Sequence, residues 1–196
     1  MEQVQLTRSP WGAVQQTKVI AEGLVFVKTA SHGGLKLNRA LNKRVPEYMR
    51  RKGGWYEEDS ESAIPVIALK EFFSESEYRS AIHTLMQYYP EFYEKLFNRI
   101  IPPVGSNKKN QAAFLEKHAN NLIGICAWGD WKEGMPKGSV LVLAKKGGGE
   151  GRSPEKERYF LVEARRYDSQ LSNPGHFGYV IDETIDQEVQ KEQFKL

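Results

Sequence analysis

The stretch SESEYRSAIHTLMQYYP, residues 74–90, constrains the fold more than any other part of the chain. Ser74 followed by Glu77 is a capping box, in which each residue answers an orphan backbone N–H at the start of a helix. Tyr78, Ala81, Ile82, Leu85, Met86 and Tyr89 then recur at helical spacing, so one face is apolar. Pro90 cannot continue that helix but suits the first position of another, whose inward residues are Phe92, Leu96, Phe97 and Ile100. Two such helices need a second layer to cover them.

The flanking segments supply strands for that layer. Residues 14–37 read as a β-meander, with turns at Glu22-Gly23 and at His32-Gly33-Gly34, where glycine is expected to provide positive φ. The helical segment spans 59–120, opening with a helix from about Asp59 to Leu69 and closing with the polar stretch SNKKNQAAFLEKHANN. Residues 121–182 return to strands in LIGICAW, SVLVLAKK, RYFLVEARRY and FGYVID, apolar runs rich in branched and aromatic residues. KKGGGEGRSPEKE, residues 145–157, reads as a flexible connection, and 183–196 as a tail helix. There is no βαβ alternation and no phosphate-loop or dinucleotide glycine pattern. The expectation is a single α+β domain over 1–196, its mostly antiparallel sheet built from N- and C-terminal strands with the central helices packed on it.

A chain of 196 residues is long enough to bury a core without staples. Its lone cysteine, Cys126, excludes an internal disulfide and a cysteine-only metal site, and its apolar neighbours suggest a buried small hydrophobe. The opening MEQVQLTRSP lacks the basic-then-apolar pattern of a signal peptide, and no apolar run reaches the roughly 18 residues of a membrane helix. A cytoplasmic protein with no membrane contact is expected. Net charge is only +3, too mild by itself to imply an acidic partner.

Three constellations are candidates for chemistry or recognition. His32, between Ser31 and two glycines, could act as a general base or metal ligand, although the plainer reading is a solvated turn histidine. Glu57, Glu58 and Asp59 could supply carboxylates to an ion such as Mg²⁺, although acids there are more simply the first turn of a helix. The third is the basic run Lys36, Arg39, Lys43, Arg44, Arg50, Arg51 and Lys52, opposed only by Glu47. It is an electrostatic footprint for phosphate or an acidic protein. Trp55 and Tyr56 beside it are stacking surfaces or core anchors. No cofactor or complete metal-ligand set is indicated. His176, in NPGHFG, would join His32 only if the fold brought two turns together.

SPWG at 9–12, TASHGGLKL at 29–37, GGWYEED at 53–59 and FGYVID at 177–182 occur in that order. Together they resemble an uncharacterised domain family of phage- and plasmid-encoded bacterial proteins. That resemblance implies a mobile-element setting and brings no established activity, cofactor or site assignment. Two expectations follow. One is an interaction module that binds a host protein or ribonucleoprotein complex, such as a bacterial immune system. Its contacts would be Lys43, Arg44, Arg50, Arg51, Lys52, Trp55 and Tyr56, with nucleic acid reached through the basic segment 36–52. The alternative is a metal-assisted hydrolase or nuclease using His32 with Glu57, Glu58 and Asp59.

Overall fold

The structure is a computed structural model that describes residues 6–149 and 157–194. The chain divides into two compact units, Met1–Lys108 and Lys109–Leu196.

In the first unit, β1 (Arg8–Ser9) and β2 (Gly12–Ala13) form a small hairpin. A meander follows of β3 (Gln16–Ala21), β4 (Leu24–Lys28) and β5 (Gly33–Leu37). Helix α1 (Arg39–Arg44), capped by the Asn38 side chain, leads to β6 (Trp55–Glu57). The four-stranded sheet is antiparallel throughout, in the order β3-β4-β5-β6. Next come α2 (Ala63–Ala68), α3 (Glu75–Tyr88) and α4 (Pro90–Phe97).

The capping box at Ser74 and Glu77 is formed as its spacing predicts, and Pro90 stands at the first position of α4. The first helix is shorter than Asp59 to Leu69. Residues 58–62 are turn, and Pro65 sits in the first turn of α2, where its missing N–H leaves no bond unmade.

Directly opposed residues on neighbouring strands share a face. Leu24, Leu35, Leu37 and Tyr56 point to the helices and join Ile64, Leu69, Ala81 and Leu85 in one apolar core. The other face carries two cross-strand rows, Val25–Lys36–Trp55 and Val27–Gly34–Glu57.

Helix α5 (Asn107–Lys117) runs across the boundary between units. The second unit then has β7 (Leu122–Gly129), β8 (Ser139–Lys146), β9 (Arg158–Glu163), α6 (Ala164–Leu171) and β10 (Gln187–Val189). Its sheet is again antiparallel, in the order β10-β9-β8-β7. Val140, Val142, Phe160, Val162, Tyr179 and Ile181 fill its core.

The α+β class and the antiparallel pairing are as expected, but the strands of the two ends build two sheets instead of one. β6 returns from within the same half of the chain, so closing the first sheet orders a much shorter loop than a strand from the far end would.

Three elements of the second unit correct the expectation. RYFLVEARRY is not one strand: it changes to helix at Ala164, where Arg165 and Asp168 meet solvent, Arg166 reaches Asp186 and Tyr167 packs inward. FGYVID pairs with β7 through a single antiparallel bridge, Ile123 to Val180. The tail helix is absent from the described residues. β10 and a 3₁₀ turn at Lys191–Gln193 stand in its place, held by Arg158, which binds Glu188 at 2.6 Å and Glu183 at 2.7 Å. The flexible connection expected at 145–157 falls largely on residues outside the described ones. Among the described residues, no helix is long and apolar enough to cross a membrane.

Candidate functional site

Three of the four sequence motifs meet on the outer face of the first sheet. Gly33 and Gly34 belong to β5 itself, and neither has positive φ, contrary to the turn role expected of them. Gly34 is a glycine for lack of space. A Cβ on Gly34 would collide with the Tyr56 carbonyl and the Trp11 ring, and one on Gly33 with the Glu58 carboxylate. Trp11 thus lies over the strand, and it meets Trp55 edge to face at 5.6 Å between ring centroids. Lys36 packs its ammonium over Trp55, 4.8 Å from the ring centre, and donates to the Gly53 carbonyl. Burial there lowers the Lys36 pKa.

The turn before β5 is locked from inside. Thr29, nearly fully buried, donates its hydroxyl to the His32 carbonyl at 2.8 Å. It also accepts the His32 N–H at 3.1 Å. Pairing of β5 with β6 then sets Glu57 beside His32, with Nδ1 and Oε1 3.9 Å apart. Glu57 is therefore a strand residue and not the first turn of a helix. Its Oε2 accepts the Asp59 N–H at 2.8 Å. Its Oε1 is buried and has no hydrogen-bond partner. The Glu58 N–H donates to the Gly33 carbonyl at 3.1 Å, which holds the acidic turn against the histidine-bearing one.

His32 and Glu57 are therefore brought together. Asp59 contributes its backbone, and Glu58 is exposed. Among the described residues, no group of three His, Cys, Asp or Glu is placed to hold an ion. His176 lies in the second unit, half-buried against Phe114, with its Nδ1 lacking a hydrogen-bond partner.

Much of the basic run is engaged in holding the fold. Arg44 pairs with Glu71. Arg50 donates to the Lys43 and Val45 carbonyls at 2.9 Å, closing the C-terminal end of α1. Arg51 binds Glu61 at 2.6 Å and lies over Tyr89. Tyr56 is fully buried, donating to Asn42 Oδ1 at 2.6 Å and accepting the Arg51 N–H, and burial raises its pKa. Arg39, Lys43 and Lys52 face solvent.

Cys126 is exposed, contrary to the buried reading. A register shift between Gly124 and Cys126 breaks the alternation of β7: Gly124 and Ala127 oppose the core residues Ala144 and Val142, while Cys126 opposes Leu143 on the other side.

The family model described as "Domain of unknown function (DUF7007)" matches residues 4–119. The match covers more than half of the chain. The protein belongs to the DUF7007 family. Comparison with curated proteins and with solved structures returns no match. SPWG, TASHGGLKL and GGWYEED all fall inside the matched range, while FGYVID lies beyond it. The DUF7007 portion therefore carries the whole Trp11–His32–Trp55–Glu57 cluster.

Sequence reasoning did not single out Trp11, Thr29 or Gly34 as members of this site. The usable signal was a pair of glycines opening a β-run, which marks close approach by another group as well as a turn.

Proposed function

We propose that this DUF7007 protein is an interaction module, encoded by a mobile genetic element and acting in the cytoplasm of a bacterial host. There it binds a host protein or ribonucleoprotein complex and blunts a defence system. One observation carries the reading: the outer face of the first sheet holds Lys36 stacked on Trp55, with exposed Lys52 in the adjoining turn and Val19 58% exposed on the same sheet. A cation on an aromatic ring, in one cross-strand row with an exposed apolar side chain, suits a surface that recognises acidic protein or nucleic acid. The resemblance to phage- and plasmid-encoded proteins supports the mobile-element setting.

The test follows from which cations are available. Reversing Arg50 or Arg51 would break contacts that hold α1 and α2, so Lys43→Glu with Lys52→Glu is the informative variant. A tagged protein expressed in a bacterial host should capture a partner, and the double variant should weaken capture by about tenfold, a loss of about 1.4 kcal/mol. Steep loss of binding with added salt is expected where the contacts are to phosphates. Equal capture by both proteins sinks this reading.

A metal-assisted hydrolase or nuclease is the second reading, and a specific observation favours it: His32 Nδ1 lies 3.9 Å from Glu57 Oε1. An imidazole beside a carboxylate is a pair able to move a proton or hold an ion at a phosphodiester or ester.

A further inference from the structure

We propose that His32 Nδ1 and Glu57 Oε1 are the two protein donors of an open site for a divalent cation of the zinc class. The proposal rests on the residues of the second reading but not on its hydrolytic step.

Distance is the first support. The two atoms are 3.9 Å apart, too far for a direct hydrogen bond. Zinc bonds an imidazole nitrogen at about 2.0–2.1 Å and a carboxylate oxygen at about 2.0–2.2 Å. Two bonds of that length span the gap, at an angle wider than tetrahedral. His32 has 53% of its side chain exposed, so a small swing of the ring brings the angle in.

An unanswered oxygen is the second support. Glu57 Oε1 is buried with no hydrogen-bond partner, while the other oxygen of the same carboxylate accepts a backbone N–H. A buried acceptor whose nearest cationic partner, His32, stands beyond hydrogen-bond reach is costly, and a cation bonded to that atom removes the cost.

The donor set decides the class of ion. An imidazole nitrogen suits zinc, cobalt and nickel, whereas magnesium takes oxygen ligands in near-ideal octahedral geometry. The Thr29 lock fixes the His32 backbone, and the Asp59 N–H orients the Glu57 carboxylate as an outer partner does at a metal ligand. With no third protein donor placed among the described residues, the remaining positions fall to water or to an incoming group. Such a site binds less tightly than a closed, four-ligand one.

The experiment titrates the full chain, stripped with a chelator, with zinc chloride. Binding is read by calorimetry and by long-range ¹H–¹⁵N spectra of the imidazoles. The expected result is that the His32 ring nitrogens shift with saturation, and that His32→Ala and Glu57→Gln each weaken binding by at least about tenfold. His83→Ala should leave it unchanged, and magnesium should not move His32. Unchanged zinc affinity in both variants overturns the proposal, as does saturation with the His32 signals unmoved. Circular dichroism checks the fold of Glu57→Gln. His32→Ala, at an exposed turn, decides alone if Glu57→Gln fails to fold. Turnover of bis(p-nitrophenyl) phosphate is measured in the same samples. Zinc binding at His32 without turnover retires the hydrolytic reading and leaves the cation site standing.

Discussion

The two units solve the same problem, covering one face of a four-stranded antiparallel sheet, by different means. In the first, α2 and α3 lay apolar side chains on the sheet, and Leu24, Leu37, Ile64, Leu69 and Leu85 are fully buried. In the second, the core residues Tyr179 and Ile181 come from an irregular segment, and a charged residue lies among the buried ones. The Asp186 side chain is wholly inaccessible. It accepts from Arg166 at 2.9 Å, from the Tyr179 hydroxyl at 3.2 Å and from the Asp182 N–H at 2.8 Å. Apolar burial is indifferent to which neighbour supplies it, whereas a buried carboxylate demands particular donors in particular places. The first unit is therefore held mainly by area, and the second also by one specified set of partners.

The largest effect that sharpens this contrast is in the first unit. Leu85→Ala removes a fully buried side chain from between helix and sheet and should cost about 3–4 kcal/mol. Urea unfolding followed by Trp11 and Trp55 fluorescence measures it, and a loss below about 1 kcal/mol would mean that area does not carry this unit.

Asp186→Asn should cost somewhat less, about 2–3 kcal/mol, because it keeps the volume but leaves Arg166 and Tyr179 poorly matched. Amide exchange at Gln187–Val189 should quicken with it. Slow exchange there would show that the strand needs no carboxylate beneath it.

The smallest effect at neutral pH is on the same network, and it is told apart by its behaviour in base. Burial, with Asp186 beside it, pushes the Tyr179 hydroxyl up to about 12. A phenol raised above its ordinary value of about 10 keeps its proton in the folded protein where the unfolded chain would release it. Its stabilisation is thus complete below about pH 10 and fades as pH rises through 12. Tyr179→Phe should flatten that alkaline loss, which a set of denaturation curves from pH 8 to 12 would detect. An identical slope in wild type and variant would place the alkaline sensitivity elsewhere.

Legibility followed the range of the forces involved. Ser74, Glu77 and Pro90 were readable because capping and proline geometry act within a turn, and α3 and α4 begin where those residues say. The β-meander was readable from its alternation and from Gly23, whose φ of 77° is the positive value expected of it. Residues 183–196 were misread because their polar composition fits a surface helix as well as an edge strand. Arg158, in another strand, is the residue that tips the balance. Cys126 was misread because a single register shift on β7 moves every later side chain.

The same reasoning separates what the amino-acid order determined alone from what the folded chain decided. Local rules settled the α+β class, the antiparallel pairing, the long capped helix and the glycine turn at 22–23, since each depends on neighbours a few residues apart. Tertiary structure decided that the strands form two sheets, that Arg50 and Arg51 hold the fold, and that Trp11, His32 and Glu57 share one face. Those outcomes depend on which strand lies beside which, and a side chain's partner across a sheet is set by register, a property no single stretch of sequence carries.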